Sequence, residues 1–280
     1  RPDVLLTYGG HPASLELMRR ARARGIAVVF HLHNFGYNYR SAFTDATTVL
    51  FPSEYSRRYH RELLGIDGPV IPDAIPLDRI IAADPEPTYV TFINPQASKG
   101  MAVFARIAIE MDRRRPEIPF LVVEGRGKSD ALAQLPVDLS ELRNLHRMPN
   151  TPDPRHFYRI SRAVLVPSLW RESLGRVPME AMANGIPVLA SDRGALPETL
   201  GDAGSVLRIP ERYGEQSLEV PTAREVAPWL AILERLWDDP AFAARQRERA
   251  LARAQCWAPG TVAGQFEQLF RAFNKASSNS

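Results

Sequence analysis

The sequence contains a single cysteine, Cys256, so no disulfide can form within the chain. That excludes a disulfide-stapled scaffold and agrees with a reducing compartment. No apolar run approaches the roughly 20 residues needed to span a bilayer, and runs such as "VVF" and "FLVV" have the length of strands. Lysine is scarce: three of the 35 basic residues are lysine and the rest arginine. The formal charge of +3 is too small an excess to imply nucleic acid as a partner. Arginine runs at Arg19 to Arg24 and Arg113 to Arg115 fall within helical patterns and read as solvated faces, with a weak membrane-surface contact left open. The chain starts at Arg1 without a charged-then-apolar leader, and the expected location is the cytoplasm, free or peripheral to the inner face of a membrane.

What is present is a globular composition, 45% hydrophobic and 24% charged, over a length that allows two domains. Short β-branched runs alternate with helical patterns, as in parallel sheets covered by helices. The strand candidates are "DVLLTY", "IAVVFHL", "TVLF", "YVTFI", "PFLVVE", "AVLVP", "IPVLA" and "SVLRI". Helical patterns run over 14–24, 54–64, 100–115, 155–161, 178–183, 225–237, 240–254 and 260–273. "TVLFPS" and "AVLVPS" echo each other and suit two copies of one βα architecture. The proline-rich stretch Val70 to Pro87 reads as a linker, because proline removes backbone donors and stops helices. The expected division is 1–75, 76–258 and a C-terminal helical segment 259–280 packing back on the first domain, with a disordered tail from Ala276. Three strand candidates before the linker are too few for a doubly wound sheet, so the first domain reads as the later part of one, with a preceding segment expected.

The richest stretch is "WRESLGRVPMEAMANGIPVLASDRGALPE", in which Glu172 and Glu180 stand eight positions apart. Gly175 and Pro178 prevent one helix from running through the pair, and Pro178 suits a first helical position. Glu172 is then expected on a strand-to-helix loop and Glu180 in the first turn of the next helix. Free N–H groups and the positive dipole end make such a turn a seat for phosphate. A carboxylate beside it can accept both protons of a sugar or ribose diol. Spacing alone also allows a plainer reading, with Glu180 complementing the helix dipole and Glu172 a surface charge.

The same stretch resembles the donor-site signature of the family-4 retaining glycosyltransferases of GT-B fold: Glu, seven residues, Glu, then "EAMA.G.PV.AS..G..PE". "VIPDAI", Lys99-Gly100, "GDAGSVLRI" and Trp257 extend the resemblance along the chain. It implies an α/β protein with two Rossmann-like parallel-sheet domains facing a cleft, the first represented only by its later part. It implies transfer of a sugar from a UDP- or GDP-sugar to an acceptor hydroxyl with retained configuration, the acceptor being a glycan, a lipid-linked group or a small molecule. It implies that no cofactor is required, nor a metal if Lys99 and the helix dipoles carry the diphosphate charge. Glu172 would contact the transferred sugar near its anomeric carbon, with the N–H groups of Ser173, Leu174 and Gly175 around sugar and phosphate. Glu180 would accept from the ribose, Lys99 beside Gly100 would neutralise the diphosphate, and His33 would touch the donor sugar.

Asn94, a further expected donor-site residue, stands five residues before Lys99, where the family usually has arginine; it can donate hydrogen bonds but brings no charge, so part of the phosphate clamp is expected to be missing, with Arg126 in "EGRG" either its substitute or a surface arginine in a glycine turn. His31 and His33 alternate on one strand, but no cysteine or acidic residue nearby completes a metal site, and none is expected. Asp238 and Asp239 read as helix caps. Two other readings stay open: a non-catalytic sugar-nucleotide-binding module, and a GT-B epimerase or phosphorylase.

Overall fold

Strands whose residues are apolar on both faces must be covered on both faces, and this requirement shapes the chain. The computed structural model describes residues 2–278. It divides into two compact units: Arg1–Ala74 with Glu172–Leu174 and Cys256–Ser280, and Ile75–Arg171 with Gly175–Gln255.

In the first unit β1 (Val4–Thr7), α1 (Pro12–Ala23), β2 (Ala27–His31), β3 (Thr48–Leu50) and α2 (Glu54–Leu64) build a parallel three-stranded sheet in the order β1-β2-β3. Alternation along β2 sends Val28 and Phe30 to a core with Met18 and Ala21 of α1, and Val29 to the opposite face. Ser53 caps α2, its Oγ accepting from the Ser56 N–H at 3.1 Å, and Gly65 ends that helix at φ +64°.

The second unit comprises α3 (Leu77–Ile80), β4 (Tyr89–Ile93), α4 (Met101–Arg114), β5 (Phe120–Val123), β6 (Leu145–Met148), α5 (Arg155–Ile160), β7 (Ser161–Val166), α6 (Arg176–Ala183), β8 (Val188–Ser191), α7 (Leu196–Leu200), β9 (Ser205–Leu207), α8 (Ala223–Asp238) and α9 (Pro240–Ala254). Its six strands are all parallel in the order β6-β5-β4-β7-β8-β9. The chain therefore winds outward from β4 in one direction and then returns to start again beside it, so the topological switch point lies between β4 and β7. Buried Phe92 of β4 stacks on Phe104 of α4 with ring centroids 4.6 Å apart, and Trp229 and Leu233 of α8 join the same core. Asp239 caps α9 through the Phe242 N–H at 2.8 Å, as expected of a helix-start aspartate.

Helix α10 (Pro259–Ser278) places Val262 and Phe266 in the first unit's second cluster, with Val29, Leu50 and Ile71. It includes Ala276–Ser278 of the tail for which disorder is expected; residues 279 and 280 lie outside those described. Among the described residues, no helix is long and apolar enough to cross a membrane. Helix α6 starts at Arg176, two residues earlier than expected. Gly175, at φ +95°, turns the chain into it, and Pro178 occupies the third helical position. Glu180 consequently lies in the second turn, and complementing the dipole of the first turn is not its role.

Candidate functional site

Ligands of open parallel sheets bind beyond the carboxyl ends of the strands at the switch point, and in the second unit that position is tightly built. The loop after β4 forms a short 3-10 turn, Ala97–Lys99, before Gly100 opens α4. The Ser98 carbonyl accepts from the N–H groups of Leu169 and Trp170, each at 2.9 Å, and from Ser168 Oγ at 3.2 Å. These bonds stitch the lysine turn to the loop that leads from β7 to α6. Gly100 has φ +80°, and a Cβ there would lie 1.8 Å from the Pro167 carbonyl oxygen, so only glycine fits. Half-buried Lys99 and the first turn of α6 therefore rise from adjacent strands. Gly175 is similarly confined: a Cβ would meet Pro178 Cγ at 3.0 Å and Leu196 Cδ2 at 3.1 Å.

Glu180 is held from two sides. Tyr158 Oη donates to Oε2 at 3.0 Å, and Arg176 Nη2 donates to Oε1 at 2.9 Å. The carboxylate keeps only 13% of its exposure, whereas Arg176 keeps 68%. Tyr158 is almost wholly buried, and burial, reinforced by the Glu180 charge, pushes its phenol well above the usual value, so it is a permanent donor. Reading the sequence missed Tyr158. Its only signal was an aromatic pair, Phe157-Tyr158, in a short helix before β7.

Asn94 directly follows β4. It has φ +65°, a left-handed conformation that asparagine tolerates better than most residues. Its Oδ1 accepts from the Gly127 N–H at 2.6 Å and from Gln96 Nε2 at 3.1 Å. The side chain thus staples the loop after β4 to the glycine turn after β5, and a Cβ at Gly127 would lie 2.2 Å from the Pro95 carbonyl. Arg126, at the tip of that turn, is exposed.

Three of the remaining expected residues, Glu172, Ser173 and Leu174, group with the first unit, as does His33. Ser173 Oγ donates to the His33 carbonyl at 2.7 Å, and the Ser173 carbonyl accepts from Ser53 Oγ at 2.6 Å and Ser56 Oγ at 3.0 Å. The Pro-Ser ending of "TVLFPS" is therefore half of a serine clamp on this segment, a function that the sequence did not reveal. Glu172 is partly buried and Leu174 buried. The sequence-based argument against a third ligand for the histidines is corrected here. Asp73 lies 3.7 Å from both His31 Nε2 and His33 Nδ1. It was overlooked because it lies in the linker, distant in sequence. Burial, then the neighbouring His33, lowers His31 to about 4 despite the opposing pull of Asp73, so its imidazole is neutral at physiological pH.

Residues 82–217, which include the lysine turn, Tyr158 and the α6 region, match the sequence profile of the glycosyl transferases group 1 family. Residues 82–217 carry a group 1 glycosyl transferase domain. Among proteins similar to it is a phosphatidyl-myo-inositol mannosyltransferase of Mycolicibacterium smegmatis, 32% identical over 235 residues, which cover 76% of this chain and 60% of the relative. A GDP-mannose-dependent alpha-(1-6)-phosphatidylinositol monomannoside mannosyltransferase of the same organism is 27% identical over 244 residues, 73% of this chain and 63% of the relative. The chain thus spans about three-fifths of the length of these relatives. The structure of Anabaena Alr3699/HepE in complex with UDP and glucose matches with a TM-score of 0.72 over 95% of this chain and 77% of that one, at 18% identity. The group 1 domain and its neighbouring unit thus have the α/β fold of the GT-B glycosyltransferases.

Proposed function

We propose that the protein moves a sugar from a nucleoside diphosphate sugar to an acceptor hydroxyl with retention of configuration. The observation that carries this reading is the double clamp on Glu180 beside the switch point of a group 1 glycosyl transferase domain. A carboxylate fixed at one oxygen by a buried phenol and covered at the other by an exposed arginine is preset to exchange the arginine for a ribose hydroxyl.

In this reading Glu180 accepts from the ribose, while Lys99 and the N–H groups at the start of α6 take the diphosphate charge. Arg126 adds a charge at the neighbouring strand end. Gly100 and Gly175 let the backbone approach the phosphates, and Asn94 shapes the loop that carries Lys99. Glu172 binds the transferred sugar beside its anomeric carbon, the backbone of Ser173 and Leu174 borders it, and His33 touches the sugar. The bond from the anomeric carbon to the β-phosphate oxygen breaks as the acceptor oxygen arrives on the same face. The acceptor proton passes to the departing phosphate oxygen. Lys99 assists most at that stage, because charge on the leaving group grows toward the transition state.

The donors named for similar proteins, GDP-mannose and UDP with glucose, make UDP- and GDP-sugars the first panel to assay, and the inositol-containing acceptors in relatives' names the first acceptors. Release of nucleoside diphosphate that depends on acceptor, with the product's anomeric configuration read by NMR, tests the proposal. Donor binding without acceptor-dependent release would reduce the protein to a binding module, and an inverted product would remove retention.

A further inference from the structure

We propose that His31, His33 and Asp73 form a binding site for a divalent, late first-row transition cation of the zinc type. This goes beyond the transfer reaction above, in which no metal takes part. His31 ends β2, His33 follows two residues later, and Asp73 arrives from the linker after β3, so two separate segments deliver ligand atoms to one place. Those atoms all lie within 4.8 Å of one another. The Asp73 carboxylate stands 3.7 Å from His31 Nε2 and 3.7 Å from His33 Nδ1. That is too long for hydrogen bonds, which end near about 3.2 Å. Two ligands at zinc distances are separated by roughly 3.3 Å in a tetrahedron, so each Asp73–histidine distance needs to shorten by only a few tenths of an ångström to seat an ion.

The second, independent observation is an orphan. His31 is 9% exposed, and its Nε2 is buried without a hydrogen-bond partner while facing the Asp73 carboxylate. A buried ring nitrogen without a partner is costly, and a metal ion aimed at by that nitrogen resolves it. The rings are also braced. His31 packs edge to face with Phe266 at 6.1 Å, and His33 does so with Tyr8 at 5.4 Å. Two imidazoles and one carboxylate suit zinc and its neighbours better than magnesium or calcium, which favour all-oxygen shells. Three protein ligands leave at least one coordination position open. Coordination through His33 Nδ1 leaves its Nε2 for the donor sugar, so the two assignments are compatible.

The test is a titration of the whole chain, stripped of metal by a chelator, with Co2+ followed by visible absorption and with Zn2+ followed by calorimetry. The expected result is a single ion per chain with the intense d–d bands of four- or five-coordinate Co2+. His31→Ala and Asp73→Ala should each weaken binding by about tenfold or more, while His146→Ala, at an exposed histidine elsewhere, should leave it unchanged. Zn2+ should also raise the unfolding temperature of the wild type and not that of Asp73→Ala, a variant at a partly exposed position that is expected to fold. Absence of saturable uptake, or uptake that survives both His31→Ala and Asp73→Ala, would overturn the site. Nucleoside diphosphate binding, measured separately, reports on the donor reading alone, so the two can fail independently.

Discussion

In the proposed donor site, Tyr158 holds the Glu180 carboxylate in place. Replacing Tyr158 by phenylalanine keeps the ring and its packing but frees Glu180 Oε2, and the loss of one hydrogen bond to a charged group should weaken nucleotide binding by about 1.5 to 3 kcal/mol. Calorimetry should find that loss for a nucleoside diphosphate and little of it for the 2′,3′-dideoxy analogue; equal losses for both would mean that the phenol supports the fold instead. Glu172→Ala should lower turnover more than donor affinity, since a contact beside the anomeric carbon strengthens as charge develops there. Steady-state kinetics separates the two effects. Lys99→Ala should reduce affinity for the diphosphate far more than for the bare nucleoside, and a uniform reduction would rule out its phosphate role. The sequence makes Asn94→Arg attractive as a restored phosphate contact. The structure adds a cost in stability: an arginine at φ +65° without the amide staple should lower the unfolding temperature.

At the scale of elements, the stitch between the lysine turn and the β7–α6 loop is the construction on which the site depends. Gly100→Ala drives a Cβ into the Pro167 carbonyl and should destabilise the second unit by more than about 1 kcal/mol, measured by denaturant unfolding. Helix α8 supplies a pH-dependent anchor. Burial pushes Glu225 up, but hydrogen bonds from Thr222, Tyr213 and Arg212 outweigh it and hold the carboxyl at about 2, below its usual 4.5. Its folded value is depressed, so its stabilisation is present above 4.5 and lost as pH falls toward 2. Glu225→Gln should flatten that part of the stability profile. Most strands were legible in the sequence because continuous β-branched runs have few other uses: "YVTFI" is β4 and "AVLV" lies within β7, whereas β6, "LHRM", has no such run and is not among the candidates. Helix starts were less legible. Gly175, at φ +95° and with Leu196 leaving little room for a Cβ, turns the chain into α6 ahead of Pro178, a placement that no local pattern carries. The side-chain clamps were illegible for the same reason, since Tyr158 with Glu180, Ser53 with Ser173 and Asp73 with the histidines join residues distant in sequence.

For the whole molecule, the account places the donor's nucleotide on the second unit, the larger of the two. The first unit holds His33 and the clamped segment Glu172–Leu174. Because the chain spans about three-fifths of the similar mannosyltransferases, nucleotide recognition is the property to measure in it first. A nucleoside diphosphate at 100 times its dissociation constant should stabilise the protein by roughly 2.7 kcal/mol. The decisive measurement is a calorimetric titration of the wild type and of Glu180→Ala with UDP and GDP. The account predicts saturable binding of at least one nucleotide by the wild type and a loss of about 1.5 to 3 kcal/mol in Glu180→Ala. Undiminished affinity in Glu180→Ala would contradict the ribose assignment, and no binding of either nucleotide by the wild type would contradict the donor site itself.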